Sequence, residues 1–180
     1  MQFYRLTCSG NTYSTLEYFL RLSWFFTYYF FFRFTPRPFY FFRNFLLLIF
    51  GSKIGRNVKI YPSAKITCPW LFEIGDNSAI GDYATIYNLG LVTIGSNTTI
   101  SQHSYLCGGT HDYSNLAMPL IRSSITVGNY CWVAAKAFVG PNSYLNDYSI
   151  IGANSSFFGN AEKFGIYVGS PAVYLKSRLK

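Results

Sequence analysis

Large apolar residues recur at six-residue intervals over residues 54–157. Fourteen of the fifteen positions hold Ile, Leu or Val. They are Ile54, Ile60, Ile66, Ile74, Ile80, Ile86, Ile94, Ile100, Leu106, Val127, Val133, Val139, Leu145, Ile151 and Phe157. A residue with a small side chain follows four positions later in thirteen of the fifteen cases, and Val58 and Trp70 are the exceptions. This period is typical of a parallel β-helix, in which each hexapeptide forms a short strand and a corner.

Three hexapeptides complete one triangular coil, with the aliphatic residue stacked inside and the small residue packed near the corner. The pattern therefore predicts an all-β solenoid of about five coils, over residues 54–71, 74–91, 94–111, 127–144 and 145–162. Residues 112–126 do not fit the repeat, so we expect them to leave the prism as a projecting loop. His111 is predicted to end the third coil, directly beside that loop. Insertions of this kind usually mark the functional face of a solenoid.

The N-terminal part has a different pattern and predicts two short helices. Ser14 or Thr15 is a suitable N-cap with Glu17 in the first turn, and Thr35 followed by Pro36 offers a second start. Gly51 is a suitable C-terminal stop. The many aromatic residues would also be compatible with strands. We divide the chain into a basic, aromatic helical segment at 1–52, a hexapeptide-repeat domain at 53–172 and a C-terminal tail at 173–180.

Charge is unevenly distributed, which changes the interpretation of the helical segment. The formal net charge is +8, yet no Asp or Glu occurs between Glu17 and Glu73. Within the helical segment, the longest uncharged apolar run, Leu22 to Phe32, is shorter than the ~20 apolar residues of a membrane span. Two interpretations stay open. The segment lies on an anionic membrane surface, or its aromatic side chains pack on the main domain or on a neighbouring subunit.

The cysteines and the second histidine suggest no further chemistry. Cys8, Cys68, Cys107 and Cys131 form no CxxC pair. The N-terminal residues lack the pattern of a signal peptide, so we expect free thiols and a cytoplasmic protein. His103 falls at a variable corner position and is interpreted as a surface or supporting residue.

Four stretches carry a resemblance to a known family: FLLLIFGSKIGRNVKIYPSAKITCPW, IGSNTTISQHSYLCGGTHDYS, ITVGNYCWVA and VGSPA. The chain resembles the hexapeptide-repeat acyltransferases of the sugar O-acetyltransferase group, and it is most similar to the colanic acid biosynthesis acetyltransferases. The resemblance covers nearly the whole chain. It implies a left-handed β-helix, a homotrimer, and acetyl-CoA as acyl donor in a groove between subunits, with no metal.

The resemblance also implies roles for individual residues. His111 matches the catalytic histidine, and an imidazole that titrates near neutral pH is suited to take a proton from a sugar hydroxyl as general base. Trp132 matches a groove residue for acceptor and cofactor, with subunit packing as the alternative. Asn88 is expected to bind the acceptor, and Asp112 either orients the acceptor or caps the loop. The expected cofactor-binding residues are Ala134, Ala135, Gly152, Ala153, Gly169, Ser170 and Lys176. The backbone N–H groups of Ala134 and Ala135 would also donate hydrogen bonds to the oxyanion.

These implications together predict an acetyl-CoA-dependent O-acetyltransferase. Its acceptor would be a sugar hydroxyl of an exopolysaccharide or of its lipid-linked precursor, and transfer would be direct. We expect it in the cytoplasm, with contact to the inner face of the membrane. One alternative is a non-catalytic scaffold, since the repeat is mainly a fold device. Another is a metal enzyme like the γ-carbonic anhydrases, although such a site needs three histidines and the chain has two. No nucleic-acid-binding motif is present.

Overall fold

The computed structural model describes residues 14–179, and Cys8 lies outside them with the rest of residues 1–13. From Lys53 onward the chain winds into a left-handed parallel β-helix of five complete coils and a partial sixth. The strands of the first two coils are β1 Lys53–Ile54, β2 Lys59–Ile60, β3 Lys65–Ile66, β4 Phe72–Ile74, β5 Ala79–Ile80 and β6 Thr85–Tyr87. The third coil has β7 Val92–Ile94, β8 Thr99–Ile100 and β9 Tyr105–Cys107, and it is followed by β10 Gly109–His111 and β11 Leu120–Arg122. The fourth and fifth coils have β12 Ile125–Val127, β13 Trp132–Val133, β14 Phe138–Val139, β15 Tyr144–Leu145, β16 Ile150–Ile151 and β17 Ser156–Phe157.

The strands form three parallel sheets, which are the three faces of the prism. Face A contains β1, β4, β7, β12 and β15, face B contains β2, β5, β8, β13 and β16, and face C contains β3, β6, β9, β14 and β17. On face A, Ile54, Ile74, Ile94, Val127 and Leu145 are successive register partners. The predicted aliphatic stacks on the other two faces are equally in register. The six-residue prediction is thus confirmed, because side chains that recur once per face meet their equivalents one coil later.

The N-terminal helices are α1 Thr15–Thr27, which continues into a π-helical turn Tyr28–Phe32, and α2 Tyr40–Ile49. The Ser14 hydroxyl accepts a hydrogen bond from the backbone N–H of Glu17, as the capping pattern predicts. The second helix does not start at Thr35, since residues 35–39 form a turn and α2 begins at Tyr40. Gly51 follows α2 with a φ of +89°, the left-handed conformation that glycine tolerates best.

These helices close the N-terminal end of the prism, and we call residues 14–50 the helical cap. The strands of the first coil have no preceding coil, so their outward carbonyl groups need other donors. The cap supplies them, from Trp24 Nε1 to the carbonyl of Ile66 (2.7 Å), from Arg43 Nε to that of Ile60 (2.7 Å), and from Asn44 Nδ2 to that of Val58 (2.9 Å). Trp24, Tyr28, Phe32 and Leu47 join the apolar core of the first coil. Within residues 14–179, no helix is both long and apolar enough to cross a membrane.

The C-terminal end is covered by strands β18 Asn160–Ala161, β19 Gly165–Gly169 and β20 Ala172–Ser177. β18 extends face A and β19 extends face B, and β20 then pairs with β19 in antiparallel orientation. The residues predicted as a tail from 173 therefore belong to a strand as far as Ser177. This strand ends the domain without leaving the β-helix.

Candidate functional site

His111 lies on an excursion from the prism, which begins earlier than the sequence predicted. After β9 the chain enters β10, which pairs in antiparallel orientation with β11, and Ile125 is already back on face A as the partner of Val92. The excursion is therefore residues 109–124, which we call the projecting hairpin, and the predicted limits of 112–126 are wrong. His111 does not end the third coil. It pairs with Leu120 across the hairpin and is exposed to solvent.

The imidazole of His111 has one nitrogen engaged and one available. Nδ1 lies 2.6 Å from the backbone carbonyl oxygen of Met118. A carbonyl only accepts hydrogen bonds, so Nδ1 carries the proton and the neutral ring has its lone pair at Nε2. The hairpin thus fixes the tautomer in which Nε2 can accept a proton.

The tip of the hairpin holds that carbonyl in place through its own hydrogen bonds. The carboxylate of Asp112 accepts hydrogen bonds from the hydroxyl and from the backbone N–H of Ser114, and these bonds lower the pKa of the carboxyl group. The Met118 N–H donates to the carbonyl of Asn115 at 2.8 Å. Of the two predicted roles for Asp112, its contacts in the described chain are those of a loop cap.

The base of the hairpin depends on two glycines and one ion pair that sequence reasoning missed. A Cβ atom on Gly90 would lie 2.5 Å from the carbonyl oxygen of Ser123, and one on Gly108 would lie 2.8 Å from the same oxygen. Arg122 of β11 forms an ion pair with Glu17 of α1 at 3.3 Å. The small-residue position at Gly90 was a sequence signal for the close approach, whereas nothing in the sequence linked Glu17 with Arg122.

Asn88 does not belong to the site, which corrects the prediction that it binds an acceptor. Its side chain is fully buried. Its amide oxygen accepts from the N–H groups of Thr67 and Cys68, and its amide nitrogen donates to the carbonyls of Cys68 and Leu71. With every polar atom of the amide engaged by the backbone of the first coil, Asn88 is a structural clip at the corner between faces C and A.

Trp132 lies on face B, where its side chain is 47% exposed. Its indole Nε1 donates to the hydroxyl of Ser101 at 2.8 Å, which ties the ring to the preceding coil. Ser101 also lines an open groove of about 610 Å³, together with His103, whose ring stacks on that of Tyr83. His111 does not line this groove, and the supporting position of His103 agrees with its sequence interpretation.

Most of the predicted cofactor-binding residues share one corner, between faces B and C. Ala135 is joined to the next coil by a bond from the Asn154 N–H to its carbonyl, and the Gly169 N–H donates to the hydroxyl of Ser155. The column formed in this way contains Ala134, Ala135, Gly152, Ala153, Gly169 and Ser170. Lys176 is exposed but pairs with Ile166 near the opposite end of β19, so it lies outside the column.

Only one of the two predicted oxyanion donors fits that role. The N–H of Ala134 donates to the carbonyl of Ile151 at 2.9 Å, so the ladder between coils already uses it. The N–H of Ala135 has no hydrogen-bond partner among the described residues. The prediction that Ala134 donates to the oxyanion is therefore wrong, and Ala135 is the candidate donor that is left of the predicted pair.

One chain alone does not gather these groups. His111 leaves the prism at the corner between faces C and A, whereas Trp132 lies on face B, the opposite side of the triangle. In the part of the chain that the structure describes, no three His, Cys, Asp or Glu side chains come together as a metal site would require.

Comparisons with known proteins agree with the architecture and the motifs. No protein-family model matches the sequence. WcaF of Escherichia coli K12, which carries the name of a putative colanic acid biosynthesis acetyltransferase, is 41% identical over 149 residues, covering 83% of this chain and 82% of its own. A hexapeptide-repeat acetyltransferase of Vibrio cholerae solved with acetyl-CoA superimposes with a TM-score of 0.83 at 17% identity, covering 93% and 91% of the two chains. A galactoside acetyltransferase solved with coenzyme A superimposes with a TM-score of 0.84 at 21% sequence identity, covering 93% of this chain and 84% of its own.

Proposed function

Because the chain belongs to the family of the colanic acid biosynthesis acetyltransferases, we propose that it transfers an acetyl group from acetyl-CoA to a sugar hydroxyl. The acceptor is an exopolysaccharide unit or its lipid-linked precursor. The name of the E. coli relative supports a polysaccharide substrate, and the acetyl-CoA and coenzyme A complexes of proteins with the same fold support the donor.

The observation that carries the mechanism is the hydrogen bond from His111 Nδ1 to the Met118 carbonyl. It leaves Nε2 as the proton acceptor for the attacking hydroxyl. The sugar oxygen bonds to the thioester carbonyl carbon as Nε2 takes its proton. The C–S bond then breaks, and the imidazolium returns the proton to the departing thiolate of coenzyme A. Transfer is direct, so no acyl-enzyme forms.

Backbone donors stabilise the tetrahedral oxyanion in this scheme. The Ala135 N–H is suited to the role because the coil ladder does not use it. Its neighbours in the same column, Gly152, Ala153, Gly169 and Ser170, offer backbone and small side chains along which the pantetheine arm can lie close. Lys176 is exposed and supplies positive charge toward a phosphate of the donor.

The site is completed by a second subunit, and we propose a homotrimer. The separation of His111 from Trp132 on opposite sides of one prism supports this arrangement. When the prisms pack side by side, the projecting hairpin of one chain meets face B of its neighbour. Acceptor and donor then meet between subunits. Because a lipid-linked acceptor is held in the membrane, the proposed enzyme works in the cytoplasm, at the inner face of the membrane.

Acetyl transfer with substitution of each histidine tests the chemistry. His111→Asn retains an N–H at the position of Nδ1 but has no base at Nε2, so we expect kcat to fall about 10²–10⁴-fold with little change in the KM for acetyl-CoA. The measurement is free thiol release with a panel of activated and lipid-linked sugars. His103→Ala is the matched control and retains activity. Unchanged turnover in His111→Asn would refute the base, and absence of both coenzyme A binding and turnover in the wild type would favour a scaffold.

Complementation tests the shared site. We expect His111→Ala and Trp132→Ala each to be nearly inactive alone. Co-expressed mixed trimers contain some interfaces with both native residues, so activity should reappear. If mixing restores nothing although sedimentation shows mixed trimers, the two residues do not serve the same site.

A further inference from the structure

The helical cap has a second face that no part of the described chain covers. Its inner stripe packs on the first coil, whereas its outer face exposes large apolar side chains. Phe19 is 66% exposed, Phe30 65%, Phe34 79% and Phe41 72%. The other exposed apolar side chains of the cap are Leu16, Tyr18, Leu22, Phe25, Phe26, Tyr29, Phe31, Phe39, Phe45, Leu48 and Ile49.

Helix geometry makes these side chains continuous. Phe19, Leu22, Phe26 and Phe30 follow one another at spacings of three and four residues, so they form one stripe on the helical run of residues 15–32. The buried residues Trp24, Tyr28 and Phe32 lie at the same spacing on the other side. A continuous exposed apolar surface of this extent indicates an interaction site.

The charges around this surface indicate which partner covers it. Arg33 is exposed at the end of the π-helical turn, and Lys59 and Lys65 are exposed on the first coil beside the cap. None of the three forms an ion pair with another described residue. Aromatic side chains bordered by unpaired cations match a bilayer surface, where rings enter the headgroup boundary and cations meet anionic headgroups.

We propose that the outer face of the helical cap docks on an anionic lipid bilayer. The cap closes the end of the prism, so docking stands the solenoid upright on the membrane with its coils leading away from the surface. In a homotrimer whose threefold axis runs parallel to the prisms, all three caps face the same side and bind together. This deepens the proposed function, because it brings the enzyme to the surface that holds a lipid-linked acceptor.

Vesicle flotation of the full chain tests the docking. We expect the wild type to float with vesicles of phosphatidylcholine containing about one third phosphatidylglycerol, and at least 10-fold less with phosphatidylcholine alone. The double variant Phe30→Ser, Phe41→Ser should lose at least 10-fold in binding. The matched control is Val173→Ser, Leu175→Ser, which removes side chains of similar exposure (62% and 57%) at the other end of face B and should float like the wild type.

The outcomes separate lipid docking from the alternatives and from acetyl transfer. Equal flotation of the cap variant and the wild type would overturn the proposal. So would a wild type that stays in the dense fraction while Phe30→Ser, Phe41→Ser alters the sedimentation mass, since the cap would then be a subunit interface. Calorimetric titration with acetyl-CoA is run on the same samples. Flotation without acetyl-CoA binding would leave docking intact and count against the proposed reaction.

Discussion

The carboxylate of Glu17 lies 3.3 Å from a guanidinium nitrogen of Arg122, although 105 residues separate the two in the chain. Glu17 belongs to the first turn of α1 and Arg122 to the returning strand of the projecting hairpin. The pair therefore joins the helical cap directly to the segment that positions the His111 imidazole.

Removing the charge of Glu17 should loosen the hairpin. An ion pair that is partly exposed contributes about 1 kcal/mol or less, so we expect Glu17→Gln to lower kcat by about 2–5-fold and to speed amide exchange over residues 109–122. Kinetics and hydrogen exchange measure these two effects. Glu73→Gln is the control, since it breaks the Lys53–Glu73 pair on face A without touching the hairpin. Identical exchange in the two variants would show that the Glu17 pair does not hold the hairpin.

Crowding the base of the hairpin should lower activity more than stability alone explains. In Gly90→Ala the new Cβ would meet the Ser123 carbonyl, which must shift and carry the hairpin with it. Gly95→Ala is matched, with a Cβ 2.6 Å from backbone atoms of Gly128 on face A. Both variants should unfold at lower urea concentration, but at a temperature where both are folded only Gly90→Ala should lose about 10-fold in kcat. Equal losses would contradict a positioning effect.

Arg43 should be the most sensitive charged residue of the cap. Its guanidinium is fully buried and donates to the carbonyls of Ile60, Pro36 and Arg37 and to the hydroxyl of Thr35. Arg43→Leu leaves these acceptors without donors, so we expect a loss of about 3 kcal/mol in the free energy of unfolding. Urea unfolding measures it. Arg33→Leu is the exposed control and should stay within about 0.5 kcal/mol of the wild type. A small effect of Arg43→Leu would mean that water replaces the guanidinium.

The stability of the protein should fall in alkali through Cys68. Burial raises the pKa of this thiol from 9.0 to about 11. Between these values the unfolded chain has lost the proton that the folded chain retains. The loss of stability is therefore absent below pH 9, and it grows as the pH rises from 9 to 11. At pH 10.5 this titration lowers the free energy of unfolding by about 2 kcal/mol.

Urea unfolding of the wild type and Cys68→Ser at pH 8 and pH 10.5 isolates this effect. The serine variant lacks the titration, while all other titrating groups, including the buried Cys131, are common to both proteins. The wild type should lose more stability than the variant over this pH interval. Parallel losses would show that the Cys68 thiol titrates normally in the folded chain.

The β-helix was predictable because its rule is local. The spacing of six residues sets which side chains enter the prism, and the stacks from Ile54 to Leu145 follow from that spacing alone. The exceptions Val58 and Trp70 both lie in the first coil, where the helical cap replaces a preceding coil and tolerates larger side chains. The start of α2 was predicted too early because a Thr followed by a Pro is typical of a helix N-terminus, whereas Thr35 and Pro36 belong to a turn that precedes the helix.

The candidate site was less predictable because its geometry depends on contacts between distant residues. Gly108, Gly109 and Thr110 are small enough to continue the repeat, so the sequence did not show where the hairpin leaves the prism. Asn88 has a side chain suited to hold a sugar, but the backbone of the preceding coil engages its whole amide. The His111 tautomer depends on a carbonyl, and no side-chain pattern encodes its position.

The hydrogen bonds with which Trp24, Arg43 and Asn44 cover the carbonyl groups of the first coil have one more consequence. An uncovered solenoid end is a template on which the strands of another molecule can add, coil upon coil. The cap thus also acts as a terminator of polymerisation. Shortened chains that begin near Lys53 would be expected to associate with one another through this uncovered end.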